Sequence, residues 1–180
     1  IIDARVCHME PFGVFADIGA GINALLPIDG ISVSRIPHPN ARFSPNQDIK
    51  AIVKSRDEFG RIVLTHKELL GTWEENASRF SVGDTAPGIA RPTEKYGIFI
   101  ELTPNLAGLA ETTGNIFPGQ NTSVYIKSII PERMKIKLII VDCFDAIYPP
   151  SKLNYCVDEK HLSYWKYSPD SSEKIIESVF

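Results

Sequence analysis

Two short stretches carry residues that could do chemistry: Phe12-Gly13-Val14-Phe15 and Tyr96-Gly97-Ile98-Phe99. Each sets two aromatic rings around a glycine and continues with an apolar residue, an acid and another apolar residue. Flat rings on the outside of a protein can take flat bases by stacking, a contact that tolerates any base sequence. Strict alternation predicts Val14, Ala16 and Ile18 on one face of a strand, with Ile98, Ile100 and Leu102 as their counterparts. Phe15 with Asp17, and Phe99 with Glu101, then fall on the opposite, outer face. By the same count Phe12 and Tyr96 point inward, unless the adjacent glycine bends or bulges the strand and turns them out. The pattern leaves a second reading open, in which the rings only fill a barrel end.

The two stretches lie at a constant offset of 84 residues (12 to 96, 15 to 99), and Ala24-Leu25 recurs as Gly108-Leu109 at the same distance. Internal repetition of this kind predicts one small module used twice. In the first copy, strands are predicted at residues 1–9, 12–18, 22–28, 49–56 and 61–65. Residues 31–47 form a loop with room for a helical turn, because Pro37, Pro39 and Pro45 exclude a strand. In the fourth strand Ile49, Ala51 and Val53 are expected inward, and Lys50, Lys54 and Arg56 outward. Strands in the second copy are predicted at 85–91, 96–102, 106–111, 122–129 and 134–140. Five short strands with tight hairpins and one longer connection suggest a small closed barrel, for which the OB-fold is the common solution.

Between the copies, Thr65-x-x-Glu68 and Thr72-x-x-Glu75 are capping-box signatures, and Leu69, Leu70, Trp73, Ala77 and Phe80 recur at helical spacing. A helical connector with a break at Gly71 is expected. The tail holds Phe144, Tyr148, Tyr155, Tyr164, Trp165, Tyr167 and Phe180, too aromatic for a disordered arm. It is read as a folded appendage on the second barrel, with a hairpin of 153–157 and 162–167 and a closing helix after Asp170. The fold class is therefore all-β: two five-stranded OB-type barrels joined by a short helical linker, plus a small α+β appendage. The expected divisions are 1–66, 67–81, 82–141 and 142–180. The first copy lacks residues matching Val82 to Asp84 and there is no initiator Met, so the chain is read as a piece of a longer protein.

Composition narrows the chemistry. The net charge is −3, which argues against a strongly basic nucleic-acid clamp. Cys7, Cys143 and Cys156 form no C-x-x-C and cannot all pair, as suits reduced thiols in a cytoplasmic setting. The four histidines show no metal-ligand spacing, so neither metal nor cofactor is expected. No apolar run is long enough to cross a membrane as a helix. G-x-S-x-G, P-loop and H-E-x-x-H motifs are missing, and the chain is not expected to be an enzyme.

Further pieces recur in a fixed order. The first copy has Leu25-Leu26-Pro27-Ile28, an Asp57-x-x-x-Arg61 hairpin and Arg61-Ile62-Val63-Leu64-Thr65. The second has Val82-Gly83-Asp84, Gly108-Leu109-Ala110-Glu111 and Lys135-Ile136-Lys137-Leu138. With the two aromatic stretches, these make both halves resemble the S1 RNA-binding domain. That family is an OB-fold repeat of a bacterial ribosomal protein and of several RNA-processing enzymes. The resemblance implies an RNA face with two strand-two aromatics, a histidine late in strand three, and an Asp and Arg around the last hairpin. Carried over by position, these are Phe12, Phe15, Asp57 and Arg61, with Pro27 at the histidine position. In the second copy they are Tyr96, Phe99 and Lys135, with Glu111 for the histidine and Pro131 for the Asp. Lys54, Lys127 and Lys137 are expected to add positive charge beside the rings.

The resulting expectation is a tandem module for single-stranded RNA, either mRNA or rRNA, acting in translation or RNA handling. The ribosome is a further expected partner and a membrane is not. The alternative is a protein-docking module that attaches to the ribosome or another RNA-associated assembly.

Overall fold

The computed structural model describes residues 1–112, 115–145, 150 and 152–180. Two closed barrels of five strands each are present. The first runs β1 (Ile2–Glu10), β2 (Gly13–Asp17), β3 (Asn23–Pro27), β4 (Asp48–Arg56) and β5 (Ile62–Thr65), in spatial order β1-β2-β3-β5-β4. Strand β1 closes the ring by pairing antiparallel with β4, Ile2 opposite Ala51. The second uses β6 (Thr85–Glu94), β7 (Gly97–Thr103), β8 (Leu106–Ala110), β9 (Asn121–Ile130) and β10 (Lys135–Phe144), in order β10-β8-β7-β6-β9. Among the described residues, a parallel contact in each barrel joins the third strand to the fifth: Leu25 with Val63, and Leu109 with Lys137.

Alternation explains most of each interior. Val6, Val14, Ala16, Ala24, Leu26, Ile49, Ala51 and Leu64 fill the first barrel. The long β3–β4 connection adds Ile31 and Phe43, both fully enclosed. Two irregularities differ from the expected pattern. Val53 is 44% exposed while Ile52 is buried, the reverse of the expected alternation, and Val53 is the last residue in register before the β4–β5 ladder slips. Glu101, expected on the outer face and kept there by its register with Ala107, is nevertheless buried and ion-paired with Arg91, which lies at the β6 slip between Ala90 and Thr93. Burial pushes the Arg91 guanidinium pKa down, and its Nε has no hydrogen-bond partner.

Helical content between the barrels is slight: a 3-10 turn at Lys67–Leu70 and α1 (Trp73–Ala77). Thr72 caps α1, its hydroxyl accepting the Glu75 N–H at 3.2 Å, as the sequence predicts. At the first T-x-x-E the Thr65 hydroxyl instead donates to the buried Glu68 carboxylate, 2.8 Å away, so no cap forms there.

By its contacts the chain divides into two units. One comprises Ile1–Gly71, Pro149–Trp165 and Glu177–Phe180; the other comprises Thr72–Tyr148 and Lys166–Ile176. Much of the tail thus belongs with the first barrel, and the expected appendage on the second is corrected accordingly. Neither the expected hairpin nor the closing helix forms. Strand β11 (Tyr164–Lys166) pairs with β12 (Glu177–Val179), and 153–157 has no strand partner. The reason lies in contacts distant in sequence: Cys156 N–H donates to Leu69 O, and the Tyr155 hydroxyl accepts Lys50 N–H. Asp170 accepts from Lys166 Nζ at 3.0 Å, and Ser172 N–H closes a turn on Pro169. Tyr148, one of the tail aromatics, lies outside the described residues.

Tyr155 also anchors a buried histidine. His66 Nδ1 lies 2.7 Å from Ile31 O and Nε2 lies 3.2 Å from the Tyr155 hydroxyl. Desolvation lowers the His66 pKa to about 4, against the Ile31 carbonyl, which raises it. Unfolded, the imidazole titrates near the ordinary histidine value of about 6.5. As pH falls from that value towards 4, the unfolded chain binds a proton that folded His66 refuses. The first barrel is therefore expected to lose up to about 3 kcal/mol over this window, and nothing more from His66 below it. An NMR titration should place the His66 midpoint near 4, and His66→Gln should flatten this part of the stability–pH curve.

Candidate nucleic-acid interface

Ladder register decides which side chains share a face, since directly paired residues on neighbouring strands project to the same side. In the first barrel Phe15 pairs with Leu25, Leu25 with Val63, and Val63 with Ser55. In the second, Phe99 pairs with Leu109, Leu109 with Lys137, and Lys137 with Ser128. These are equivalent rows across the outside of the two barrels. Lys137 stands where the first barrel has Val63.

Phe12 and Tyr96 end up outside, 56% and 67% exposed. The glycine that follows each is the cause. The β2–β3 and β7–β8 backbones approach so closely that a Cβ on Gly13 would meet Leu26 O at 2.4 Å, and one on Gly97 would meet Ala110 O at 2.4 Å. Only glycine allows this approach, and the sharp bend it permits turns the preceding ring out. The ring pairs are nearly superimposable in geometry. Phe12 and Phe15 stand 6.0 Å apart at 85°, and Tyr96 and Phe99 stand 6.0 Å apart at 86°. Gly97→Ala is expected to destabilise the second barrel by about 1–3 kcal/mol. Thermal unfolding would measure that loss, and near-UV dichroism should show Tyr96 displaced.

Asp57 and Arg61 meet, but mainly each other. Asp57 Oδ1 accepts the Phe59 and Arg61 N–H groups, and Asp57 Oδ2 accepts Arg61 Nε at 2.7 Å. Desolvation raises the Asp57 pKa, yet the backbone N–H donors and the guanidinium outweigh it, leaving the carboxyl below its ordinary value. The carboxylate thus holds the β4–β5 turn and aims Arg61, whose guanidinium also lies 5.3 Å from the Phe59 ring centroid. In the second barrel Pro131 opens a 3-10 turn at Pro131–Arg133, and among the described residues no carboxylate pairs with Lys135.

Lys54 and Lys127 occupy one matching irregularity. Val53 and Ser55 pair with Leu64 and Val63, and Ile126 and Ser128 pair with Leu138 and Lys137, so each lysine is left outside its ladder. Such a bulge re-aims a side chain. Both are exposed, as are Lys135 and Lys137.

Sequence reasoning missed His8. A slip between Val6 and His8 reverses the alternation of β1, so His8 pairs with Phe15 and its ring stacks on that of Phe15 at 6.3 Å and 24°. His8 Nε2 lies 2.6 Å from Glu10 Oε1. Only the repeat offset hinted at this site, by placing Pro92 at the matching position. Among the described residues no group of three His, Cys, Asp or Glu side chains could hold a metal ion, and no helix is long and apolar enough to cross a membrane.

The closed five-stranded barrel with a glycine-turned aromatic pair on its outer face, present twice, defines the class: tandem OB-type barrels. Residues 1–67 match the family described as "S1 RNA binding domain". The chain is similar to the small ribosomal subunit protein bS1 of Staphylococcus aureus (strain COL), 31% identical over 153 residues, or 78% of this chain and 39% of that protein. The bS1 protein of Rhizobium meliloti (strain 1021) is 28% identical over 152 residues, covering 77% of this chain and 27% of its own length. The bS1 homolog of Bacillus subtilis (strain 168) is 32% identical over 111 residues, covering 61% and 29%. The chain thus spans well under half the length of these relatives.

Proposed function

We propose that this chain binds single-stranded RNA on the outer faces of its two barrels and acts in translation or RNA handling. One observation carries the reading: the same exposed ring pair recurs on the same face of both barrels, 6.0 Å apart and nearly perpendicular. Bases stack on Phe12, Phe15, Tyr96 and Phe99, while Lys54, Arg61, Lys127, Lys135 and Lys137 meet the phosphates. Asp57 acts indirectly, by aiming Arg61. The description of the matched family and the names of the relatives support RNA as the ligand and the ribosome, in the cytoplasm, as the setting. Titration of labelled single-stranded RNA into the full chain at two salt concentrations tests it. The log–log slope should be about −0.7 per phosphate neutralised. Binding absent even at low salt overturns the reading.

A second reading, protein docking, draws on exposed apolar side chains elsewhere on the second barrel. Tyr125 on β9 is paired with Ile139 on β10, and both are exposed, as is Val141. Partners recovered from cell extract after nuclease treatment would favour this use. Their complete loss would count against it.

A further inference from the structure

We propose that the two barrels divide the work of binding: the first is the base-stacking module, with His8 as its third ring, and the second is the phosphate-holding module, through Lys127, Lys135 and Lys137. This inference rests on the RNA-binding reading above and concerns how the same faces differ.

The first barrel offers a run of three rings, His8 on Phe15 and Phe15 against Phe12, contributed by two adjacent strands. The Glu10 carboxylate at Nε2 holds the His8 ring in its orientation. Cationic charge on this face is smaller: Lys54 matches Lys127, but Arg61 is engaged by Asp57, and the centre of the row is Val63. The second barrel reverses the balance. Its β6 slip leaves Pro92 and Thr93 beside the ring pair instead of a histidine, so only Tyr96 and Phe99 remain. Lys137 replaces Val63 in the row that contains Phe99. Lys135 lies on the same side of β10, and Lys127 projects from the bulge opposite Lys137. All three are exposed, and no carboxylate among the described residues pairs with them. Glu101, which shares the face of Phe99 and would oppose phosphate, is buried and neutralised by Arg91. Exposed acids are Glu111, just beyond β8, and Glu132, in the turn that leads into Lys135.

The two contributions have different signatures. Phosphate contacts release counterions and steepen the salt dependence, whereas stacking on an uncharged ring does not. Polyuridine and inorganic polyphosphate, the second a chain of phosphate without bases, separate them in slightly alkaline buffer. With the full chain, changing Lys127, Lys135 and Lys137 together to Gln should flatten the polyuridine log–log slope by about 2. It should also abolish polyphosphate binding. His8→Ala should weaken polyuridine about fivefold or more at every salt concentration, with slope and polyphosphate binding unchanged. These side chains are exposed, so unchanged melting curves should accompany both variants. An unaltered slope in the triple variant, or unaltered polyuridine affinity in His8→Ala, overturns the division while leaving RNA binding standing. A wild-type chain that fails to bind polyuridine at low salt overturns the RNA-binding reading itself, and the division with it.

Discussion

Changing Phe15 and Phe99 to alanine together is expected to weaken single-stranded RNA binding by about 2–6 kcal/mol, roughly 30-fold or more, with both barrels still folded. The estimate takes one stacked base per ring at about 1–3 kcal/mol each. Folding should survive because neither ring belongs to a core. Phe15 and Phe99 sit half-buried on the outer rows, while the interiors are built by Val14 and Ala16, and by Ile98 and Ile100. Each ring does support its partner, so loss of Phe15 also frees Phe12 and, in the first barrel, His8. The single Phe15→Ala change should therefore cost more than Phe99→Ala, since three rings depend on it rather than two. Fluorescence anisotropy with labelled RNA measures the binding loss, and thermal melting checks the fold. Undiminished affinity in a folded double variant would remove stacking as the source of binding and turn attention to docking.

Much of this was legible in the sequence because it depended on local periodicity and on repetition. The 84-residue offset located β2 and β7 and put Val14, Ala16, Ile98 and Ile100 inside, where they are. Gly13 and Gly97 beside aromatics pointed to the bend that exposes Phe12 and Tyr96. What escaped was parity after a ladder slip. One extra residue flips every side chain that follows to the opposite face. A slip turned His8 out and another left Arg91 buried at an irregularity of β6; neither leaves a signature in composition. The loop residue Phe43 reaches the core from a stretch whose prolines marked it only as irregular. The tail defied local reading for a related reason. Its Cys156 N–H donates to Leu69 and its Tyr155 hydroxyl accepts from Lys50, residues that no local window contains. For the candidate site, the exposed ring pairs were legible in the spacing, but the contacts of Asp57 and the place of Lys137 in the row of Phe99 were not.

Glu101→Ala is expected to destabilise the second barrel by about 3–5 kcal/mol, the usual cost of removing one member of a buried ion pair. The Arg91 and Glu101 side chains are 9% and 3% exposed, so little water could replace the lost carboxylate. Arg91 already has one unsatisfied nitrogen, Nε, and the variant would strip its guanidinium of the paired charge. Asp17, the counterpart of Glu101, is only half-buried and accepts the Gly19 N–H at 2.8 Å, so Asp17→Ala should cost much less. A double change, Arg91→Met with Glu101→Leu, should recover most of the loss, because replacing both charges by apolar groups leaves nothing unpaired. The measurement is urea unfolding followed by Trp73, which is buried in the unit containing the second barrel. Trp165→Phe removes the other tryptophan, which groups with the first. Stability in Glu101→Ala within about 0.5 kcal/mol of the parent, the range of ordinary surface changes, would show that the pair does not hold this barrel together. The double variant also bears on function. If Glu101 matters only as the charge that keeps Arg91 buried, the rescued barrel should bind RNA as the parent does, with Phe99 and Lys137 still flanking Leu109 on its outer row.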